Sequence, residues 1–122
     1  MVKRNMALDK VLAGITVGDF ASAHTWYEQL LGRPADTVPM EGLAEWHLSE
    51  YGGIQLIHDE ERAGSSYVTL MVSSLDDQLA ALKAEGVPVG PIQGTPGRTK
   101  VATVADPEGN RITFAEDLTD KD

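Results

Sequence analysis

The stretch VLAGITVGDFASAHTWYEQLLG, residues 11–32, decides the fold. Its first seven residues, Val11 to Val17, are apolar and rich in β-branched side chains, so they read as a strand. Asp19 then stands at an N-cap position, where its carboxylate can accept a free N–H of a first helical turn. Phe20, His24, Tyr27 and Leu31 follow at i, i+4, i+7 and i+11, with Ala23 and Leu30 beside them. That is one face of an amphipathic helix. Gly32 supplies the C-terminal stop and Pro34 blocks continuation. Working outward, Asp36–Met40, Leu43–Ser49 and Gly53–His58 fit three short strands, with turns at Gly42 and at Tyr51-Gly52-Gly53. The unit is β-α-β-β-β.

The same order then returns. Tyr67–Val72 (YVTLMV) reads as a strand, and Ser74 with Asp77 three residues later makes a capping box. Leu75, Leu79 and Leu82 form the apolar stripe of a second helix that Gly86 ends. Val87–Val89, Lys100–Ala105 and Arg111–Ala115 are the remaining strand candidates. Asp106-Pro107-Glu108-Gly109 has the residues of a type I turn. Tyr67 lies 55 residues after Leu12, Gly86 lies 54 after Gly32, and Ile112-Thr113-Phe114 lies 58 after Ile54-Gln55-Leu56. Landmarks agreeing this closely indicate two copies of one supersecondary unit. The expectation is one domain over 1–122, made of modules 8–60 and 65–117 and joined through the polar stretch HDEERAGSS.

Side chains alternate across a strand, so each sheet offers one face to its helix and one away from it. Ala13, Ile15 and Val17 suit the helix side of the first strand, as do Val68, Leu70 and Val72 in the fifth and Ile112 and Phe114 in the last. The opposite faces carry Leu12, Gly14 and Thr16, then Tyr67, Thr69 and Met71, then Arg111, Thr113 and Ala115. They are too apolar for open water and too polar for a dry core. The expected fold is α+β, with two βαβββ modules whose sheets curve into a partly open barrel around a ligand cleft.

Composition narrows the function. At 122 residues, 42% hydrophobic and 24% charged, the chain has the make-up of one soluble globular domain. No apolar run approaches the roughly 18 residues of a membrane span. The start, MVKRNMALDK, is basic without an apolar stretch behind it, so no secretion signal and a cytoplasmic location are expected. Cysteine is absent, which excludes disulfides, thiolate metal sites and a cysteine nucleophile. Nineteen acids against ten bases give a net charge of -9, so no nucleic-acid partner is expected. Such a surface serves solubility and favours cationic small molecules over anionic ones.

The paired modules, the stretch ITVGDFASAHTWYEQLLG and the turn ADPEGNRITFAE together resemble the glyoxalase / bleomycin resistance / dioxygenase superfamily, the vicinal oxygen chelate proteins. The likeness runs from about Val11 to Glu116. The resemblance implies, for the enzymes of the group, a divalent metal held by His, Glu or Gln on the first and last strands of each module. Carried onto this chain, those positions are Leu12, Gln55, Tyr67 and Thr113, of which only Gln55 has a donor of the required type. No metal and no cofactor are therefore expected. The resemblance then points to the metal-free, bleomycin-resistance-like branch: cytoplasmic homodimers that sequester a drug unchanged, with aromatic side chains stacked on its planar parts.

The expected ligand contacts are Trp46, Gln55, Tyr67, Thr69, Met71 and Thr113, with no catalytic residue. Tyr67 and Trp46 supply flat stacking area, while Gln55, Thr69 and Thr113 orient polar groups. Strand parity in Leu43–Ser49 is ambiguous, so Trp46 lies either on the cleft or beneath the helix. Trp26 and His24 read as packing residues on the first helix, and His58 and Arg98 as surface groups. The rival reading is a metal-dependent lyase, isomerase or dioxygenase with a displaced site built from Glu45, His47 and Gln55, since i and i+2 on a strand share a face.

Overall fold

The computed structural model describes residues 7–119; the first residues of the basic start, read above as no secretion signal, lie outside them. The elements run β1 (Val11–Val17), α1 (Phe20–Leu31), β2 (Thr37–Met40), β3 (Leu43–His47), β4 (Gly52–His58), β5 (Tyr67–Met71), α2 (Leu75–Ala84), β6 (Thr99–Ala105) and β7 (Arg111–Asp117). One sheet has the order β1-β4-β3-β2 and the other β5-β7-β6, so the two do not close into a barrel. The fold is α+β with mixed sheets, β1 parallel to β4 and β5 parallel to β7.

Both helices begin and end as their sequences direct. Asp19 accepts from the Ser22 N–H at 3.1 Å, and Ser74 accepts from the Asp77 N–H at 3.2 Å. Gly32 closes α1 at φ 74°, a left-handed conformation that a side chain disfavours. The internal repeat extends to residue-level register. Leu12 pairs with Gly53 as Tyr67 pairs with Arg111, and Gly14 pairs with Gln55 as Thr69 pairs with Thr113. Glu45 opposite Gln55 matches Thr103 opposite Thr113.

Val87–Val89 is a correction. It forms no strand, and the second sheet has three strands where the first has four. Pro88 and Pro91 lack the N–H a ladder needs, and only the residues after the segment touch β6, through Gly90 N–H to Thr103 O and the Gln93–Val101 bridge.

The helix-side residues of both sheets form a single core, from Ile15, Trp46 and Leu56 in the first to Val68, Val104 and Phe114 in the second. Asp106-Pro107-Glu108-Gly109-Asn110 locks the modules together. The expected turn is present, with Gly109 N–H donating to Asp106 O at 3.0 Å. The side chains beyond it all reach across. Asp106 accepts from the buried Tyr27 hydroxyl at 2.8 Å, and Glu108 accepts from Gly18 and Asp19 N–H at 2.7 and 3.0 Å. Asn110 donates to Thr16 O at 2.9 Å and accepts from Ser66 N–H at 2.8 Å. Burial, then the Asp106 carboxylate, holds the Tyr27 phenol far above its ordinary pKa, so it remains a donor at any working pH.

Gly53 shows how closely the β3–β4 hairpin packs. A Cβ there would run into the Trp46 carbonyl, which is backbone and cannot swing aside. Gly53→Ala is expected to destabilise the protein by about 1–3 kcal/mol, the usual penalty of overpacking. Chemical denaturation checks this, and a loss within ~0.5 kcal/mol of zero would contradict the packing.

Candidate functional site

The second sheet carries one group of candidates on the face turned away from α2. Tyr67, Thr69 and Met71 alternate onto that face of β5, and Thr113 stands opposite Thr69 on β7. Thr113 is 5% exposed, whereas Tyr67 and Met71 are 63% and 64% exposed. The Thr113 hydroxyl meets that of Tyr67 at 3.1 Å and that of Thr103 at 2.8 Å. Thr113 is the diagonal cross-strand neighbour of Tyr67, a separation that an aromatic side chain spans. Tethered at its hydroxyl, the ring is a positioned and exposed apolar plane. Thr103 was missed in the sequence, although its register opposite Thr113 follows once the repeat is extended to β6.

The first sheet carries a separate group of candidates on β3 and β4. Glu45 lies opposite Gln55 in the β3–β4 register, with His47 two residues along the same face. Gln55 Nε2 donates to Glu45 Oε2 at 2.9 Å, and His47 Nε2 lies 3.1 Å from Glu45 Oε1. The hydrogen bond from Gln55, then that from His47, holds the Glu45 carboxyl below its ordinary pKa.

This parity overturns the placement of Trp46 in the cleft. If Glu45 and His47 face away from the helix, Trp46 between them must face toward it, and it is 0% exposed. Its indole N–H donates to Arg33 O at 3.0 Å just beyond α1. Its ring meets His24 edge-on at a centroid distance of 5.5 Å and lies 6.4 Å from Tyr27. His24 is the half-buried packing histidine the helix pattern implies, and Trp26 packs edge-on against Tyr27 at 4.8 Å. His58 and Arg98 are exposed.

The metal positions implied by the family likeness do not suit a metal. Leu12 has no donor atom, and Tyr67 and Thr113 are neutral hydroxyls bonded to one another. Glu45, His47 and Gln55 do converge, but Gln55 turns its N–H₂ toward Glu45. Among the described residues no three His, Cys, Asp or Glu side chains group to hold an ion.

A cavity of about 520 Å³ opens between the modules. Val11, Leu48, Val68, Leu70, Val72 and Phe114 are among its walls, and Thr69 and Met71 reach it as well. Most of this lining comes from the helix-side faces, so the cavity borders the core. Gln55, Tyr67 and Thr113 do not line it. Among the described residues no helix is long and apolar enough to cross a membrane.

Residues 7–114 match the family Glyoxalase/Bleomycin resistance protein/Dioxygenase superfamily. A glyoxalase / bleomycin resistance protein from Catenulispora acidiphila DSM 44928 is 34% identical, over 90% of this chain and 98% of its own, with a TM-score of 0.84. TnmS3, an antibiotic binding protein from Streptomyces sp. CB03234, is 22% identical over 93% of this chain and 99% of its own, with a TM-score of 0.72. A bleomycin-binding protein solved with bleomycin is 15% identical over 89% of this chain and 98% of its own, also at 0.72. At these identities the last two share the fold. No curated protein matches the sequence.

Proposed function

The chain belongs to the glyoxalase/bleomycin resistance protein/dioxygenase superfamily, and on that footing we propose that it binds a small amphipathic molecule without a metal and releases it unchanged. The observation that carries this reading is Tyr67, an aromatic ring tethered by Thr113 yet 63% exposed, on the same strand face as an equally exposed Met71. Fixing a ring costs conformational freedom, and an exposed ring gives back little of it until a planar ligand covers the free face. Gln55, Thr69 and Thr113 orient the polar part of the ligand. The bleomycin-binding and antibiotic-binding relatives have the same fold, which supports a natural product as ligand.

Val11, Val38 and Met40 expose large apolar side chains on β1 and β2, the two edge strands of their sheet. A second copy covering these edges accounts for the exposure, so the working form is a homodimer. The chain acts as one domain of two modules, and its lack of cysteine fits the cytoplasm.

A native mass spectrum of the purified protein gives the mass of the assembly and of anything bound. A metal-free dimer of twice the chain mass is expected. One tightly held divalent ion per chain would favour the enzyme reading and direct attention to Glu45, His47 and Gln55. Acridine, planar and uncharged near pH 8, probes the stacking surface directly. Tyr67→Ala is expected to weaken acridine binding about 3–10-fold, the range for one aromatic contact, with stability within ~1 kcal/mol of the parent. Fluorescence titration reads the first and denaturation the second. Unchanged acridine affinity would remove Tyr67 from the site.

A further inference from the structure

We infer that Glu45 is the anionic anchor of the ligand site and seats an organic cation, an ammonium or guanidinium carried by the bound molecule. The inference rests on the binding reading above and specifies the chemical class of the ligand.

Unlike Glu28 and Glu60, which also face histidines but are 44% and 79% exposed, Glu45 is recessed. Asp36 is paired with Arg33, Asp59 with Arg62 and Asp76 with Lys100. Glu108 is committed to two backbone N–H groups of the α1 entry, and Asp106 accepts from Tyr27, Glu108 and Asn110. Among the described residues Glu45 has only the Gln55 amide and the His47 imidazole as direct partners. Lys10 attracts it from farther away, as the weakest of the influences on its carboxyl.

The side chain is nonetheless recessed, at 14% exposure, so its charge is only partly solvated. A carboxylate has about four acceptor sites, and Gln55 and His47 occupy two of them. Gln55 spends its N–H₂ on Glu45, which leaves its carbonyl oxygen as a further acceptor on the same face. The result is a group of acceptors with a net negative charge and, among the described residues, no Lys or Arg paired with it. A multi-donor cation satisfies it through charge-assisted hydrogen bonds, in a setting where water weakens the attraction less than at an open surface. The net charge of -9 draws such a ligand in.

The test compares two planar dyes, 9-aminoacridine, which is cationic near pH 8, and acridine, which is neutral there. The parent protein is expected to prefer 9-aminoacridine by about tenfold, as one charge-assisted bond implies. Glu45→Gln keeps the shape and is expected to bring the two affinities within about twofold, through loss of 9-aminoacridine affinity. On the parent protein, added salt should weaken 9-aminoacridine and spare acridine. Equal binding of both dyes by the parent, or a preference that survives Glu45→Gln, would overturn the anchor and leave the stacking reading standing. Binding of neither dye would overturn both.

Discussion

Asn110→Ala lowers the unfolding free energy by about 3–5 kcal/mol in urea denaturation, the expected sum of two or three orphaned buried partners. Asn110 is 0% exposed and uses both ends of its amide. Its N–H₂ serves Thr16 O and Asp106 Oδ2, and its carbonyl takes the Ser66 N–H. Alanine leaves the end of β1 and the entry to β5 without the group that joins them, and no water in bulk reaches the space. Asn110→Asp is the informative companion. It keeps the acceptor for Ser66 but sets a second carboxylate against Asp106. At neutral pH it should cost more than alanine, and acidification should relieve it as the pair takes up a proton. A loss below ~1 kcal/mol for Asn110→Ala would mean that the shared core alone holds the modules together.

Trp46→Ala should cost about 3–5 kcal/mol, as for large aromatic side chains removed from a packed core. The cavity would open between β3 and α1, where His24 and Tyr27 now pack against the indole. Trp46→Phe keeps most of the volume and loses the bond to Arg33 O, so a cost of about 1–2 kcal/mol is expected. Acridine affinity should be unchanged in Trp46→Phe, the inverse of Tyr67→Ala, which alters binding and spares stability. A Trp46→Phe protein of full stability that no longer binds acridine would return Trp46 to the ligand face.

The two aromatics define how far the sequence could be read. Tyr67 inherits its direction from the repeat, because its strand leads into a periodic helix as β1 does and Tyr67 lies 55 residues after Leu12. Trp46 sits on a five-residue strand in which Leu43, Glu45 and His47 alternate with Ala44 and Trp46. That pattern has no apolar face distinct enough to fix its parity, and only the pairing of β3 with β4 decides it. The same pairing turned Glu45 and His47 outward and placed them beside Gln55.

Local chemistry explains the rest of the division. The sequence by itself determined the two helices with their caps at Asp19 and Ser74, the repeat offsets, the turn at Asp106 and the lack of donors at Leu12, Tyr67 and Thr113 for a metal. Each depends on neighbours within a few residues or on residue identity alone. Tertiary structure decided the burial of Trp46, the loss of the strand at Val87–Val89, the contacts of Asp106, Glu108 and Asn110 across the module boundary, and the bonding of Glu45 to Gln55 and His47. Each of these depends on which distant segment supplies a hydrogen bond or excludes water, and separation along the chain does not encode that.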